Sequence, residues 1–323
     1  MIDGTRTGTP VLLFPGQSSR DPEMIDKLVA ADPATAVLVD RASSVLGRDL
    51  RRHYRRANVD IFATNRDIQV GVFLANHLHL DALARAGVVA RCSLGLSLGE
   101  YNHLVHVGAI AFEDALRVVD RRGSLFDAGP PGVTVSIFPI DAARLQAVID
   151  ATGVGDGAVI GLFNSPRQQV LSGERSAVEA VLARLEDEVF VEAVILDHRI
   201  PMHSPLFAPV AKALRPVLAA APWRPPLGPY VPNVRGEVCA GAREATIVEC
   251  LERHVHEPVR WQASVEAVAA ALETPIFIEV GPRAVLTGMF GRGWNPGRAV
   301  NTDAPAWPAH LSELVEGVRR AVA

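Results

Sequence analysis

The residues best placed to do chemistry are a serine set between glycines and a histidine set between prolines. Gly95-Leu96-Ser97-Leu98-Gly99 follows an apolar, β-branched run and precedes a helix-compatible one. That spacing suits a nucleophile elbow, a sharp strained turn flanked by glycines because side chains there would strike the adjoining strand and helix. Such a turn lifts the Ser97 hydroxyl above a sheet and aims the amides of the helix start at a developing oxyanion. An ordinary small-residue turn is the alternative that the pattern alone leaves open. A serine nucleophile also needs a base, and the chain has 10 histidines. His77, His79, His103 and His106 fall on helical stretches, where a packed or surface histidine is the usual case. His203 lies in Ile200-Pro201-Met202-His203-Ser204-Pro205, where two prolines hold an irregular, rigid loop after a predicted strand. Loops held in this way often carry catalytic groups. Local sequence does not by itself choose His203 over the other nine.

Positioning these groups requires a sheet. Residues 10–14 and 88–94 are apolar, β-branched runs that each enter a glycine-containing turn and then a helix-compatible stretch, the grammar of a parallel α/β sheet. In such sheets the loops at the carboxyl ends of the strands gather the chemistry. Residues 63–83 and 113–126 read as helices, the first mostly apolar. From 132 to 196 the rhythm changes to strand, helix, strand pair, helix, strand, which matches a ferredoxin-like unit inserted in the larger domain. The expected division is a catalytic domain of residues 1–130 and 199–323 and a subdomain of residues 131–198. Residues 221–229, with four prolines, read as a surface connection. Residues 275–280 read as a final buried strand.

Composition excludes several classes. With 323 residues, 49% of them hydrophobic, the chain can bury a large core. A net charge of -4 argues against general nucleic-acid binding, which needs a surplus of clustered Lys and Arg. The basic run from Arg48 to Arg56 is read as a solvated helix face, with a docking patch for an acidic partner as the alternative. Cys92, Cys239 and Cys250 stand too far apart in sequence for a ligand cluster, so neither a metal nor a disulfide framework is expected. No apolar run approaches bilayer length and the start lacks the order of a secretion signal, so a cytoplasmic protein with no membrane contact is expected.

The chain resembles the malonyl-CoA:acyl carrier protein transacylases and the related acyltransferase domains of fatty-acid and polyketide synthases. The resemblance is carried by Phe14-Pro-Gly-Gln-Ser18, Gly95-Leu-Ser-Leu-Gly-Glu-Tyr101, Asn164-Ser-Pro166 with Val170-Leu-Ser-Gly173, Pro201-Met-His-Ser-Pro205, Pro258-Val-Arg-Trp261 and Phe277-Ile-Glu-Val-Gly-Pro282, in the family's order. It implies an α/β-hydrolase-like domain carrying a ferredoxin-like subdomain. It also implies Ser97 as nucleophile, His203 as base, the amides of Gln17 and Leu98 as oxyanion hole, and the backbone carbonyl of Glu257 as the group orienting His203. Arg122, in Asp120-Arg-Arg-Gly123, matches the arginine that grips a substrate carboxylate, a role suited to a planar fork of donors. Adjacent Arg121 is the alternative for facing inward. Gln69 matches a glutamine near the cleft. The sequence departs from the family at Leu96, where His is usual, at Met202, where Phe or Ser is common, and at Gln17-Ser18-Ser19-Arg20, where Gln-Gly-Ser-Gln is usual. Leu96 and Met202 are therefore candidates for shaping the acyl site, and the departures leave the acyl group open.

The implied activity is transfer of malonyl, or a related carboxyacyl group, from coenzyme A to the phosphopantetheine thiol of an acyl carrier protein. The acyl-CoA thioester is the substrate, and no tightly bound cofactor or metal is expected. One rival within the family is an acyl hydrolase that edits stalled chains on carrier proteins. A rival of another class is an inactive carrier-protein binding scaffold on the same fold.

Overall fold

The structure is a computed structural model and describes residues 8–188, 190–291, 293–303 and 307–322. Two sheets organise it. In the first, β1 (Thr9–Phe14), β2 (Cys92–Gly95), β7 (Pro275–Glu279) and β8 (Arg298–Asn301) run parallel in the order β2-β1-β7-β8. The second contains β3 (Val133–Phe138), β4 (Ala158–Ser165), β5 (Gln168–Gly173) and β6 (Glu192–Asp197), antiparallel in the order β4-β5-β3-β6. With α7 (Ala142–Thr152) after β3 and α8 (Arg175–Glu188) after β5, that order is the one a ferredoxin-like unit has.

Around the parallel sheet stand α1 (Asp26–Ala31), α2 (Pro33–Leu46), α3 (Leu50–His53), α4 (Asn65–Arg85), α5 (Gly99–His106) and α6 (Phe112–Asp127). After the second sheet come α9 (Ala208–Ala220), α10 (Glu244–Arg253), α11 (Trp261–Ala271) and α12 (Trp307–Val322). β1 lies between β2 and β7, and Val11, Leu13, Leu94 and Phe277 are fully buried, as expected of strands covered on both faces. The segment before α11 meets the second sheet where Val259 bridges β4, with Phe163 donating to the Val259 carbonyl and Val259 to that of Gly161.

Two expectations are corrected. The strand expected over residues 88–94 begins only at Cys92, because its partner β1 offers register from Val11 to Phe14 and no further. Residues 275–280 do not form the last strand, since β8 adds a parallel edge beside β7. Its residues stay part-exposed and lack the apolar run that would mark them in sequence. Residues 221–229 run over the surface as expected, pinned where Trp223 donates its indole N–H to Leu218 and where the amides of Arg224 and Leu227 donate to Ala109 and Val107. In the basic run, Arg48 pairs with Asp67, Arg51 with Asp40 and Arg56 with Glu23, so much of its charge is met on the surface. Among the described residues no helix is long and apolar enough to cross a membrane.

Candidate active site

Ser97 stands between the end of β2 and the start of α5 with φ of 51°, in the left-handed region that a non-glycine residue enters only under constraint. The glycines on either side are obligatory. A Cβ on Gly95 would come within 2.1 Å of the Gly99 backbone, and one on Gly99 within 2.0 Å of the Phe14 carbonyl oxygen. Leu96 also donates its N–H to the Phe14 carbonyl, which ties the elbow to the end of β1.

His203 is buried, and its φ of 61° is also left-handed. The Ser97 hydroxyl lies 2.8 Å from His203 Nε2, and His203 Nδ1 lies 2.7 Å from the carbonyl oxygen of His254. A carbonyl can only accept, so Nδ1 carries the proton and Nε2 is the free base that accepts from Ser97. Burial pulls the His203 pKa down to about 3, helped by the nearby charge of Arg122 and opposed by the hydrogen bond to His254. The ring is therefore neutral, and able to accept a proton, at neutral pH.

The carbonyl expected from Glu257 comes instead from His254, three residues earlier. Helix α10 ends at Arg253, and the chain just beyond it runs along the His203 loop, so His203 meets it twice, its N–H donating to Val255 and its ring to His254. Glu257 lies past this contact, its carboxylate held by Nε and Nη2 of Arg253 at 2.8 Å each. Motif alignment places the segment correctly, but the carbonyl that faces the ring depends on how the helix end turns.

Gln17 opens a 3₁₀ turn after β1 and donates its side-chain N–H to Asn65. Its loop lies against the elbow, since a Cβ on the preceding Gly16 would approach the Leu96 carbonyl to 3.0 Å and Ser97 Cβ to 3.6 Å. Leu98 is the N-cap of α5, ahead of the first intrahelical amide bonds. A cavity over the serine is lined by Gln17, Arg20, Leu96, Ser97, Met202 and His203 on the large unit. Thr134, Leu162 and Leu196 close it from the second sheet. Leu96 and Met202 thus form part of its apolar wall.

Arg122 is 1% exposed, whereas Arg121 is exposed, which decides which of the pair faces inward. Arg122 Nη1 donates to Gln69 Oε1 at 2.6 Å, and the guanidinium lies over the Phe126 ring at 4.1 Å. Nε and Nη2 have no hydrogen-bond partner among the described residues. Burial lowers its pKa, while Tyr101 and Glu100 act to raise it. A buried cation with two free donors is costly unless something anionic meets it.

Sequence reasoning overlooks three residues that hold this arrangement. Asn233 Oδ1 accepts the Ser97 amide at 2.7 Å, and Asn233 Nδ2 donates to the Gly95 carbonyl at 2.6 Å. Glu100, fully buried one turn after the serine, accepts from the Tyr230 hydroxyl and the Asn233 amide. Arg20 lines the cavity among the charges of Asp197, Arg199 and Arg283, and burial lowers its pKa. Asn233 follows a proline in an unpatterned stretch and carries no signal, while a glutamate just after the elbow could have drawn notice as a charge in an apolar place.

Fold and site together define an α/β protein of the nucleophile-elbow class, in which a parallel sheet presents a serine beneath a ferredoxin-like unit. Residues 11–315 match the acyl transferase domain family, and the chain belongs to that family. It is 31% identical over 281 residues to a malonyl CoA-acyl carrier protein transacylase of Bacillus subtilis strain 168, covering 86% of this chain and 88% of that one. With the protein of the same name from Escherichia coli strain K12 it shares 31% identity over 284 residues, 87% of this chain and 91% of that one. Among solved structures, a malonyl-transacylase in complex with a type II polyketide synthase acyl-carrier protein superposes with a TM-score of 0.86 at 28% identity, over 96% of this chain and 100% of that one.

Proposed function

We propose that this protein transfers a malonyl group from coenzyme A to the phosphopantetheine thiol of an acyl carrier protein, through an ester on Ser97. The observation that carries the reading is the buried Arg122 guanidinium, with two unpartnered donors, close enough to depress the His203 pKa. A carboxylate on the acyl group is the ligand such a fork fits.

In the first half-reaction His203 Nε2 takes the Ser97 proton as Oγ bonds to the thioester carbonyl carbon, and the oxyanion points toward the amides of Gln17 and Leu98. Collapse breaks the carbon–sulfur bond, and His203 returns the proton to the coenzyme A thiolate. The carrier thiol then attacks the Ser97 ester by the same steps in reverse. The thioester is a substrate, and the cycle needs no bound cofactor. Water competes for the acyl-enzyme, and the apolar wall of Leu96, Leu162, Leu196 and Met202 limits its access.

The editing hydrolase is less favoured, because an uncharged acyl chain leaves Nε and Nη2 of Arg122 without an acceptor. An inactive scaffold has no use for a serine 2.8 Å from an unprotonated imidazole nitrogen. Location in the cytoplasm accords with a coenzyme A thioester as substrate. Intact-protein mass spectrometry after incubation with malonyl-CoA tests the proposal. The parent should gain one malonyl mass and Ser97→Ala none, whereas a labelled Ser97→Ala protein would overturn the assignment.

A further inference from the structure

When His203 takes the serine proton it becomes a buried imidazolium, and among the described residues the partner of its far nitrogen is a neutral carbonyl. In Ser-His-Asp enzymes a carboxylate meets that charge directly. Here the nearest arrangement of that kind is one ring further in. The His254 ring stacks on the His203 ring, with centroids 5.0 Å apart and planes 24° from parallel. On the Glu100 side, His254 Nδ1 lies 3.4 Å from Glu100 Oε2. Both ring nitrogens of His254 lack any conventional hydrogen bond among the described residues, so this contact is what the ring has. Glu100 is itself fixed from two sides, by Tyr230 Oη at 2.7 Å and the Asn233 amide at 3.2 Å.

We propose that Glu100 is the buried counter-charge of His203, held one ring away by His254, and that both act as positioning residues for the base. The inference rests on the Ser97 and His203 roles given above. It follows from geometry: Ser97, His203, His254 and Glu100 form one continuous buried column, and Asn233 ties the carboxylate at its foot to the serine at its head. A negative charge at the foot favours the imidazolium and so strengthens the base; a neutral Glu100 does not.

The charge state of Glu100 then becomes visible in the rate. Burial raises its pKa to about 7, against the hydrogen bonds from Tyr230 and Asn233 and the charge of Arg122 on α6. Tyr101 on α5, Cys250 on α10 and the two imidazoles complete the titratable groups around it, and burial keeps those imidazoles neutral and pushes Tyr101 and Cys250 up to about 12. A carboxyl with a raised pKa is charged above that value and neutral below it. The base should therefore weaken as pH falls through about 7, far above the His203 pKa of about 3.

The test uses a fluorophosphonate, which needs the same base and no acyl-CoA. The Ser97 Oγ–phosphorus bond forms, the phosphorus–fluorine bond breaks, fluoride leaves and the hydroxyl proton goes to His203. In the parent protein the labelling rate should fall as pH drops from 8 to 6. Glu100→Gln should label roughly tenfold more slowly at pH 8 and lose that fall. Tyr230→Phe removes one hydrogen bond to the charged carboxylate and no charge, so the fall should move to higher pH by about half a unit. Parent-like rate and pH dependence in Glu100→Gln would overturn the inference. Should that variant not fold, a Tyr230→Phe profile that stays in place or moves to lower pH overturns it instead. Malonyl loading is read separately by mass, so a protein that labels with this profile but takes no malonyl counts against the substrate and for the counter-charge.

Discussion

Among the described residues Arg122 donates to Gln69 and lies over the rings of Tyr101 and Phe126. A charge buried on those terms weakens the free protein and strengthens a complex with an anion, so it belongs to binding more than to folding. Arg122→Ala should lower malonyl loading by about 2 to 5 kcal/mol, the range for breaking a desolvated charge pair. Acetyl loading should hold or rise, because an uncharged acyl group gains nothing from the guanidinium. Rates for both substrates on both proteins give a double comparison in which general damage cancels. A parallel fall in the two would make Arg122 structural and move the editing hydrolase forward. At this scale the sequence names the residue types well and their neighbours poorly. Whether Arg121 or Arg122 faces inward turns on helix phase, which one residue shifts by about 100°, and whether Glu257 or His254 offers the carbonyl turns on the path of the chain beyond α10.

The elements that aim Arg122 are α4 and α6, and their fit is close. Asp127 at the end of α6 caps α4 by accepting from the amides of Asn65 and Arg66, while Arg66 binds Asp120 through Nε and Nη2 at 2.7 and 2.8 Å. Between these ties sits Gly123, where a Cβ would come within 2.5 Å of Arg66 Cα. Gly123→Ala must therefore push α6 away from backbone that cannot yield. It should cost about 1 to 3 kcal/mol of stability, the usual penalty for overpacking, read as a lower midpoint in denaturant. Gln69 on α4 and Arg122 on α6 are the pair such a shift separates, so malonyl loading should fall more than acetyl loading. An unchanged midpoint would mean that the helices repack freely. Helices α4 and α6 are legible in sequence to within two residues, because their length and apolar content mark them. The late start of β2 and the edge strand β8 are not, since strand limits come from pairing partners distant in the chain.

For the whole molecule, the question is where an acidic carrier protein would dock. The run of arginines around α3 draws the eye in sequence, yet Arg48, Arg51 and Arg56 are met by acidic neighbours. Arg20 instead lines the cavity over Ser97, where the charges of Arg199, Arg283 and Asp197 act on it. Transfer to an acidic carrier protein should slow as salt rises, because exposed charges are screened beyond about 8 to 10 Å at physiological ionic strength. A variant with Arg199 and Arg283 changed to alanine should lose much of that salt dependence while still loading malonyl from coenzyme A. A salt slope that survives the double change would return the docking site to α3.

By itself the sequence determined the class of fold, the elbow serine, the alternation of a parallel and a ferredoxin-like unit, and the family. Each of these is written in local spacing: glycines where backbone must pass close, apolar periods of two or of 3.6, prolines at rigid loops. Only the tertiary structure decided that Asn233 would clasp the serine from 136 residues away, that His254 would orient His203, and that Glu100 would stand beneath both. Those contacts depend on how helix ends and irregular loops from separate segments meet in a buried interior. A buried polar group must find its partner in space, and its neighbours in sequence do not say where that partner lies.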